Sequence, residues 1–181
     1  AFNESSLTVS FSNLAQGLVH SKDDILYVPY DNKIARNNNG TWTAAALTLP
    51  THYYITSICE YGDYLAIAAA PLSGTGNSRL YLWDRDSSLT TVSQSVDWGG
   101  GILRIIEEVD GVLIGISFRG GNSFIQFNQR IYFKYLLGNR AVTFKTLVGD
   151  AGQISTELPI AKQKIDNRLY FMLQIYLNDA A

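Results

Sequence analysis

The stretch Leu103–Phe118, LRIIEEVDGVLIGISF, reads as two β-strands joined by a turn at Asp110-Gly111. An Asp-Gly pair between apolar runs is a strong hairpin signal, because both turn positions need a positive φ that these residues tolerate. In the first strand, strict alternation places Leu103 and Ile105 on one face and Ile106 on the other. A strand that is apolar on both faces is typical of a position covered on two sides, inside a larger all-β fold.

The same hairpin occurs four times along the chain. Its turns are Asp23-Asp24, Gly62-Asp63, Asp110-Gly111 and Asp166-Asn167, and the leucines two residues beyond them are Leu26, Leu65, Leu113 and Leu169. Subtracting successive leucine positions gives spacings of 39, 48 and 56 residues, which is the range of β-propeller blades with loops of unequal length. We therefore predict an all-β fold, a partial β-propeller of four-stranded antiparallel blades.

The repeats divide the chain into one repeat domain with five parts. Residues 1–15 are expected to form an outer strand, residues 16–50, 51–101 and 102–155 three blades, and residues 156–181 a terminal hairpin. Closed propellers have about four to eight blades, so we expect the chain to be a fragment of a larger propeller that does not close a monomeric ring by itself. The side chains expected to pack between the sheets are Trp83, Trp98, Leu113 and Leu169.

Composition narrows the classes of partner. Hydrophobic residues make up 46% of the chain, enough for a core, and the formal net charge is −2. Scattered basic residues in an acidic chain argue against a nucleic-acid partner, and no run approaches the roughly 20 apolar residues of a membrane span, so no membrane insertion is predicted. The single cysteine, Cys59, is interpreted as a small core residue.

Signals for catalysis are weak. His20 and His52 have no second ligand at metal-binding spacing, so we predict no metal and no cofactor. Glu107 and Glu108 are adjacent on a strand and point to opposite faces, so they cannot act on one substrate atom. The protein is therefore predicted not to be an enzyme.

Aligning the repeats on their turns places polar or small residues in one column, namely His20, Cys59, Glu107 and Gln163. Such a column is typical of a solvated position near an inner rim, and a functional site is the alternative.

The loops between second and third strands hold the best binding candidates. Residues 76–78 and 121–123 are both Gly-Asn-Ser, 45 positions apart, and both loops are expected on one face of the propeller. The candidate binding residues are Asn77, Ser78, Arg119, Asn122 and Ser123. Shared turn chemistry explains the repeat of Gly-Asn-Ser as well as ligand recognition does, so both interpretations stay open.

One turn resembles a motif of sialidases. Residues Asn37–Trp42, NNNGTW, occupy the turn between third and fourth strands of the first repeat and resemble the Asp-box of sialidase-type propellers. Asn38 stands where that family has Asp, and Arg36 where Ser is expected. In that family the box is structural, so the resemblance implies a fold and no catalytic residue.

A second resemblance covers roughly residues 50–150. The runs Ser78–Leu89, Val96–Gly99 and Glu107–Gly115 look like those of propeller-type structural proteins of tailed bacteriophages, including tail nozzle and fibre components. The resemblance implies a virion or extracellular scaffold or adsorption protein. Its partners would be other virion or surface proteins, a second copy of the chain, or a glycan. The alternative is a carbohydrate-active, sialidase-like propeller whose catalytic residues lie partly outside this chain.

Overall fold

The computed structural model describes residues 19–20, 23–73, 76–86, 92–119, 129–149 and 161–172. These residues contain fourteen β-strands in four antiparallel sheets, and no helix occurs among them. Three sheets are four-stranded, with the strands side by side in chain order. The prediction of an all-β, partial propeller of four-stranded blades is confirmed. In the described part of the chain, no helix is long and apolar enough to cross a membrane.

The first two sheets lie between residues 19 and 100. Sheet 1 consists of β1 (Val19–His20), β2 (Ile25–Tyr30), β3 (Lys33–Asn38) and β4 (Thr41–Thr48). Sheet 2 consists of β5 (Tyr53–Tyr61), β6 (Tyr64–Pro71), β7 (Asn77–Trp83) and β8 (Gln94–Gly100).

The third sheet and a hairpin follow. Sheet 3 consists of β9 (Ile102–Val109), β10 (Val112–Arg119), β11 (Gln129–Leu137) and β12 (Arg140–Gly149). The terminal hairpin consists of β13 (Ala161–Ile165) and β14 (Arg168–Met172). Residues 1–15, predicted as an outer strand, and residues 156–160 and 173–181 of the predicted terminal hairpin lie outside the described residues.

This connectivity separates the two ends of the sheets. The turns between first and second strands, and between third and fourth strands, lie at one end, which we call the turn end. The connections between second and third strands and the links between sheets lie at the other end. We call this second end the loop end and define it by residues 31–32, 49–52, 72–73, 76, 100–101 and 119.

Apolar side chains pack between neighbouring sheets. Trp83 is fully buried between sheets 1 and 2, where its ring meets Tyr27 edge-on at 5.8 Å. Trp98 and Leu113 are buried together between sheets 2 and 3. The prediction for these three buried side chains is confirmed. It is wrong for Leu169, which is only half-buried and lies directly opposite the charged Lys164 on the hairpin.

The expected alternation along β9 is also wrong. Ile105 pairs with Ile116 while Leu103 pairs with Ser117, so Arg104 is an extra residue, a β-bulge. A bulge shifts the alternation by one, and Leu103 therefore packs with Ile106 between sheets 2 and 3. Ile105 faces the terminal hairpin instead.

The bulge recurs in sheet 2. There it falls on Thr56 in β5, 48 residues before Arg104, which matches the spacing of the second and third repeats. The fourth strand of that repeat begins at Gln94, and Val92 and Ser93 lie outside it. Burial alternates along this strand, since Val96 and Trp98 are buried while Ser95 and Asp97 are exposed.

The turn that resembles an Asp-box lies where it was expected, between β3 and β4. Asn39 and Gly40 form it, with φ values of 48° and 84°. The Oδ1 of Asn37 accepts a hydrogen bond of 2.8 Å from the amide of Gly40. The motif closes a hairpin here.

Candidate binding surface at the loop end

Gly101 brings two of the candidate residues together. Asn77 opens β7 and forms a β-bridge with Gly101, which links sheets 2 and 3. A Cβ atom on Gly101 would lie 2.7 Å from the carbonyl oxygen of Phe118 and 3.4 Å from the amide nitrogen of Arg119, and its φ is +97°. Only glycine fits such a close approach of backbones. Asn77 and the exposed Arg119 are therefore neighbours across the junction of two sheets.

Asn77 is held in place by an exposed carboxylate. Its Nδ2 donates a hydrogen bond of 2.9 Å to Oδ2 of Asp97. The other carboxylate oxygen, Oδ1, accepts a 2.7 Å bond from the amide of Gly99. The bond from Asn77 first, and that from Gly99 after it, lower the pKa of Asp97 below its ordinary value. Asp97 is thus a fixed negative charge at the surface.

A second set of hydrogen bonds holds the backbone carbonyl of Asn77. Arg79 donates from Nε to the hydroxyl of Tyr53 at 3.3 Å and from Nη1 to Oγ of Ser95 at 2.9 Å. The Tyr53 hydroxyl donates to the carbonyl oxygen of Asn77 at 3.4 Å. The hydrogen bond with Tyr53 raises the pKa of the Arg79 guanidinium, which keeps its positive charge. The exposed ring of His52 lies 4.5 Å from that of Tyr53.

These groups form an ordered polar array on rigid strands. It contains a carboxylate, a guanidinium, an amide, a hydroxyl and an imidazole, supplied by Asp97, Arg79, Asn77, Ser95 and His52. Such an array is suited to hydrogen-bonding a polar partner.

Ser78 has a different position from its neighbour. Its side chain is buried, and its Oγ donates to the carbonyl oxygen of Gly101 at 2.6 Å and accepts from the amide of Leu103 at 3.0 Å. A ligand at the surface would not reach this side chain. Its hydroxyl connects sheet 2 to Gly101 and Leu103, at the start of β9. The candidates Asn122 and Ser123 lie outside the described residues.

The sequence reasoning missed Tyr53, Arg79 and Asp97. One signal was available for Asp97, since an Asp two residues before a Gly commonly accepts a hydrogen bond from that backbone amide. The roles of Tyr53 and Arg79 depend on which residues of different strands share a face, and no motif marks them.

The aligned column does not form one solvated rim. Cys59 is buried between sheets 2 and 3, and burial raises the pKa of its thiol to about 12. The thiol is therefore protonated and unsuited to nucleophilic chemistry, and its interpretation as a core residue is confirmed. Gln163 is exposed and Glu107 is half-buried, while the side chain of His20 lies outside the described part.

Each of the adjacent glutamates binds its own lysine of the terminal hairpin. Glu107 lies 2.9 Å from Nζ of Lys162, and Glu108 lies 2.8 Å from Nζ of Lys164. Glu108 also accepts a bond from the amide of Gly111. The hydrogen bond from Lys164 first, then that of Gly111, lowers the pKa of Glu108. These two ion pairs thus attach the terminal hairpin to sheet 3. Within the described ranges, no three His, Cys, Asp or Glu residues gather as a metal site.

Comparison with known proteins adds a distant structural neighbour. No family model matches the chain, and no curated protein matches it. Among solved structures, one similar chain belongs to "Crystal Structure of Mitotic Checkpoint Complex", with 16% sequence identity and a TM-score of 0.49. The match covers 74% of this chain and 37% of that chain, so this chain spans well under half of its neighbour. A similarity this distant carries no inference about activity, and the fold assignment depends on the sheets themselves.

Proposed function

We propose that the protein is a non-enzymatic binding module that uses the polar array around Asn77, together with the adjoining loop end, as its binding surface. The observation that carries this proposal is the array around Asn77, in which Asp97 and Arg79 are exposed or half-exposed and yet held by fixed hydrogen bonds. Polar groups that are ordered before binding lose little freedom on binding, so they support recognition. The propeller-like fold indicates a binding or scaffold module and agrees with this use.

The finer proposal is a structural protein of a tailed bacteriophage, active in tail assembly or host adsorption and located in the virion or outside the cell. It is supported by the resemblance of Ser78–Leu89 and Glu107–Gly115 to such proteins. The complete open reading frame and its neighbouring genes test it. Adjacent genes for tail proteins are expected, and a neighbourhood of sugar-degrading enzymes would contradict it.

A glycan is the partner to test first at the loop end. On a glycan array, we expect the protein to be retained by at least one glycan class, and Arg119→Glu and Asn77→Ala to reduce that retention. Arg140→Glu is the matched control, because Arg140 is an exposed arginine at the turn end. Absence of any retained glycan, or an equal loss with the control, would exclude glycan recognition at this surface.

The carbohydrate-active alternative depends only on the resemblance of residues Asn37–Trp42 to the Asp-box of sialidase-type propellers. A panel of fluorogenic glycosides separates it from binding alone. We expect no turnover of any glycoside, because Glu107 and Glu108 each bind a separate lysine. Turnover that persists in a highly purified sample would favour the enzyme.

A further inference from the structure

One face of sheet 3 is only partly covered. On the side turned away from sheet 2, Phe171 of the terminal hairpin packs on Phe133 with ring centroids 5.5 Å apart. Farther out, Phe144 is 56% exposed and Leu147 is 42% exposed. We call this surface the outer ledge and define it by Phe133, Tyr135, Phe144, Lys145 and Leu147.

The register places these side chains on one face. Phe133 is directly opposite Lys145 on the next strand, and Ile131 is directly opposite Leu147. The ring of Phe144 lies 6.3 Å from that of Phe133 and 6.1 Å from that of Tyr135. The ledge is therefore a continuous aromatic and aliphatic surface on β11 and β12.

On the opposite face of sheet 3, the apolar surface is covered by sheet 2. There β5 packs against β9 and β8 against β12, so sheet 2 covers sheet 3 from its inner strand to its outer strand. Leu136 and Ala141 of the outer strands belong to that buried contact. On the ledge side, the ring contact that the described part of the hairpin makes with sheet 3 is that of Phe171 with Phe133. An exposed apolar surface that continues a buried interface marks an interaction site.

The charge around the ledge is positive. Between Asp110 and Asp150 the sequence has no acidic residue, and its basic residues are Arg119, Arg130, Lys134, Arg140 and Lys145. Lys134 is buried towards sheet 2, where it donates to the carbonyl oxygen of Trp98. Lys145 and Arg140 are exposed, and Arg140 is directly opposite Leu137, on the ledge face. The carboxylates Glu107 and Glu108 lie on β9, at the other edge of the sheet.

The positive charge around the outer ledge indicates which kind of partner the ledge binds. A second copy stacked ledge on ledge about a two-fold axis would bring the two Lys145 residues towards one another, and like charges at an interface are unfavourable. We propose that the outer ledge binds an extended, acidic segment of another protein. Its apolar side chains contact Phe144 and Leu147, and its carboxylates pair with Lys145 and Arg140. This surface is separate from the loop end, so either proposal can fail alone.

Two fluorescent peptides test the proposal by anisotropy with the full chain. One is Glu-Val-Thr-Val-Thr-Val-Glu, and the other has lysine in place of each glutamate. We expect the acidic peptide to bind about fivefold more tightly, the size of two exposed ion pairs. Lys145→Glu should remove or reverse this preference, and Phe144→Ser should weaken both peptides.

The two control variants replace a charged side chain and an apolar side chain that lie away from the outer ledge. Lys33→Glu on sheet 1 and Leu72→Asn in the loop after β6, where Leu72 is 55% exposed, should leave both affinities unchanged. Failure of the acidic peptide to bind, equal binding of the two peptides, or no effect of Lys145→Glu would overturn the proposal. So would self-association of the chain that Phe144→Ser abolishes, or tighter binding of a thymidine oligonucleotide.

Discussion

Gly115 lies beneath the indole of Trp98, where sheets 2 and 3 meet. A Cβ atom at this position would be 2.9 Å from Cε2 of Trp98 and 3.0 Å from Cδ1 of Leu103. Both neighbours are fully buried, so neither has room to move away. Gly115→Ala is therefore expected to destabilise the protein by about 1–3 kcal/mol through overpacking.

Chemical denaturation of the variant and parent measures this cost. Gly100→Ala is the matched control, because a Cβ there has its nearest neighbour at 3.9 Å, the Oδ1 of Asn77. Equal midpoints for Gly115→Ala and Gly100→Ala would contradict the packing of Trp98 described above.

A different residue-scale constraint acts at Gly111. Its φ of +79° in the turn after Asp110 is a conformation that β-branched residues avoid. Gly111→Val should destabilise by roughly 1–3 kcal/mol because the side chain strains the backbone. Asp110→Asn, at a φ of 51°, should have little effect, since Asn tolerates a positive φ. Thermal melting compares the two, and a Gly111→Val melt within a degree of the parent would exclude the tight turn.

At the scale of elements, β9 depends on hydroxyl groups of sheet 2. Thr56 donates to the carbonyl oxygen of Leu103, and Ser78 bonds both Gly101 and Leu103. The amide of Ile106 donates to Oγ of Ser57 at 3.5 Å. An inner strand has one edge without a partner strand, and these buried hydroxyls satisfy that edge.

Ser78→Ala should therefore destabilise by about 1–3 kcal/mol, because it leaves the buried amide of Leu103 without an acceptor. Ser95→Ala is the control, since that hydroxyl is exposed and its loss should change stability by less than about 0.5 kcal/mol. Urea denaturation measures both variants. If Ser78→Ala instead kept full stability and lost surface binding, Ser78 would be a ligand residue.

For the whole molecule, ion pairs attach the terminal hairpin to sheet 3. The pKa of Glu108 is lowered from 4.5, chiefly by the hydrogen bond from Lys164. A lowered carboxyl pKa means that its stabilisation is present above pH 4.5 and is lost as the pH falls through the lower pKa of the folded state. The contact of hairpin and sheet is therefore expected to weaken in acid.

Thermal melts of Glu108→Gln between pH 7 and pH 3 test this expectation. The variant should be less stable than the parent at neutral pH, and the difference should shrink towards pH 3. Lys164→Met should behave in the same way, since it removes the other partner. A difference that stays constant with pH would show that the ion pair does not contribute.

The sequence by itself determined the hairpins, their repeat and the four-stranded sheets. Turn chemistry at Asp110-Gly111 and its counterparts is local, so a few adjacent residues encode it. The sequence also indicated which loops reach one end of the sheets, and Asn77 and Arg119 both lie beside Gly101 there.

Only the tertiary structure decided which side chains are covered and which are accessible. The bulge at Arg104 reversed the face of Leu103, Ser78 proved to be buried beside an accessible Asn77, and Leu169 lost the burial that Leu113 keeps. The Asp97 and Arg79 contacts join strands that are distant along the chain. Accessibility and cross-strand contacts depend on the neighbouring sheet and not on the residue's own repeat. Residues at equivalent positions in the repeat are therefore buried in the core, exposed at the surface or half-buried in the terminal hairpin.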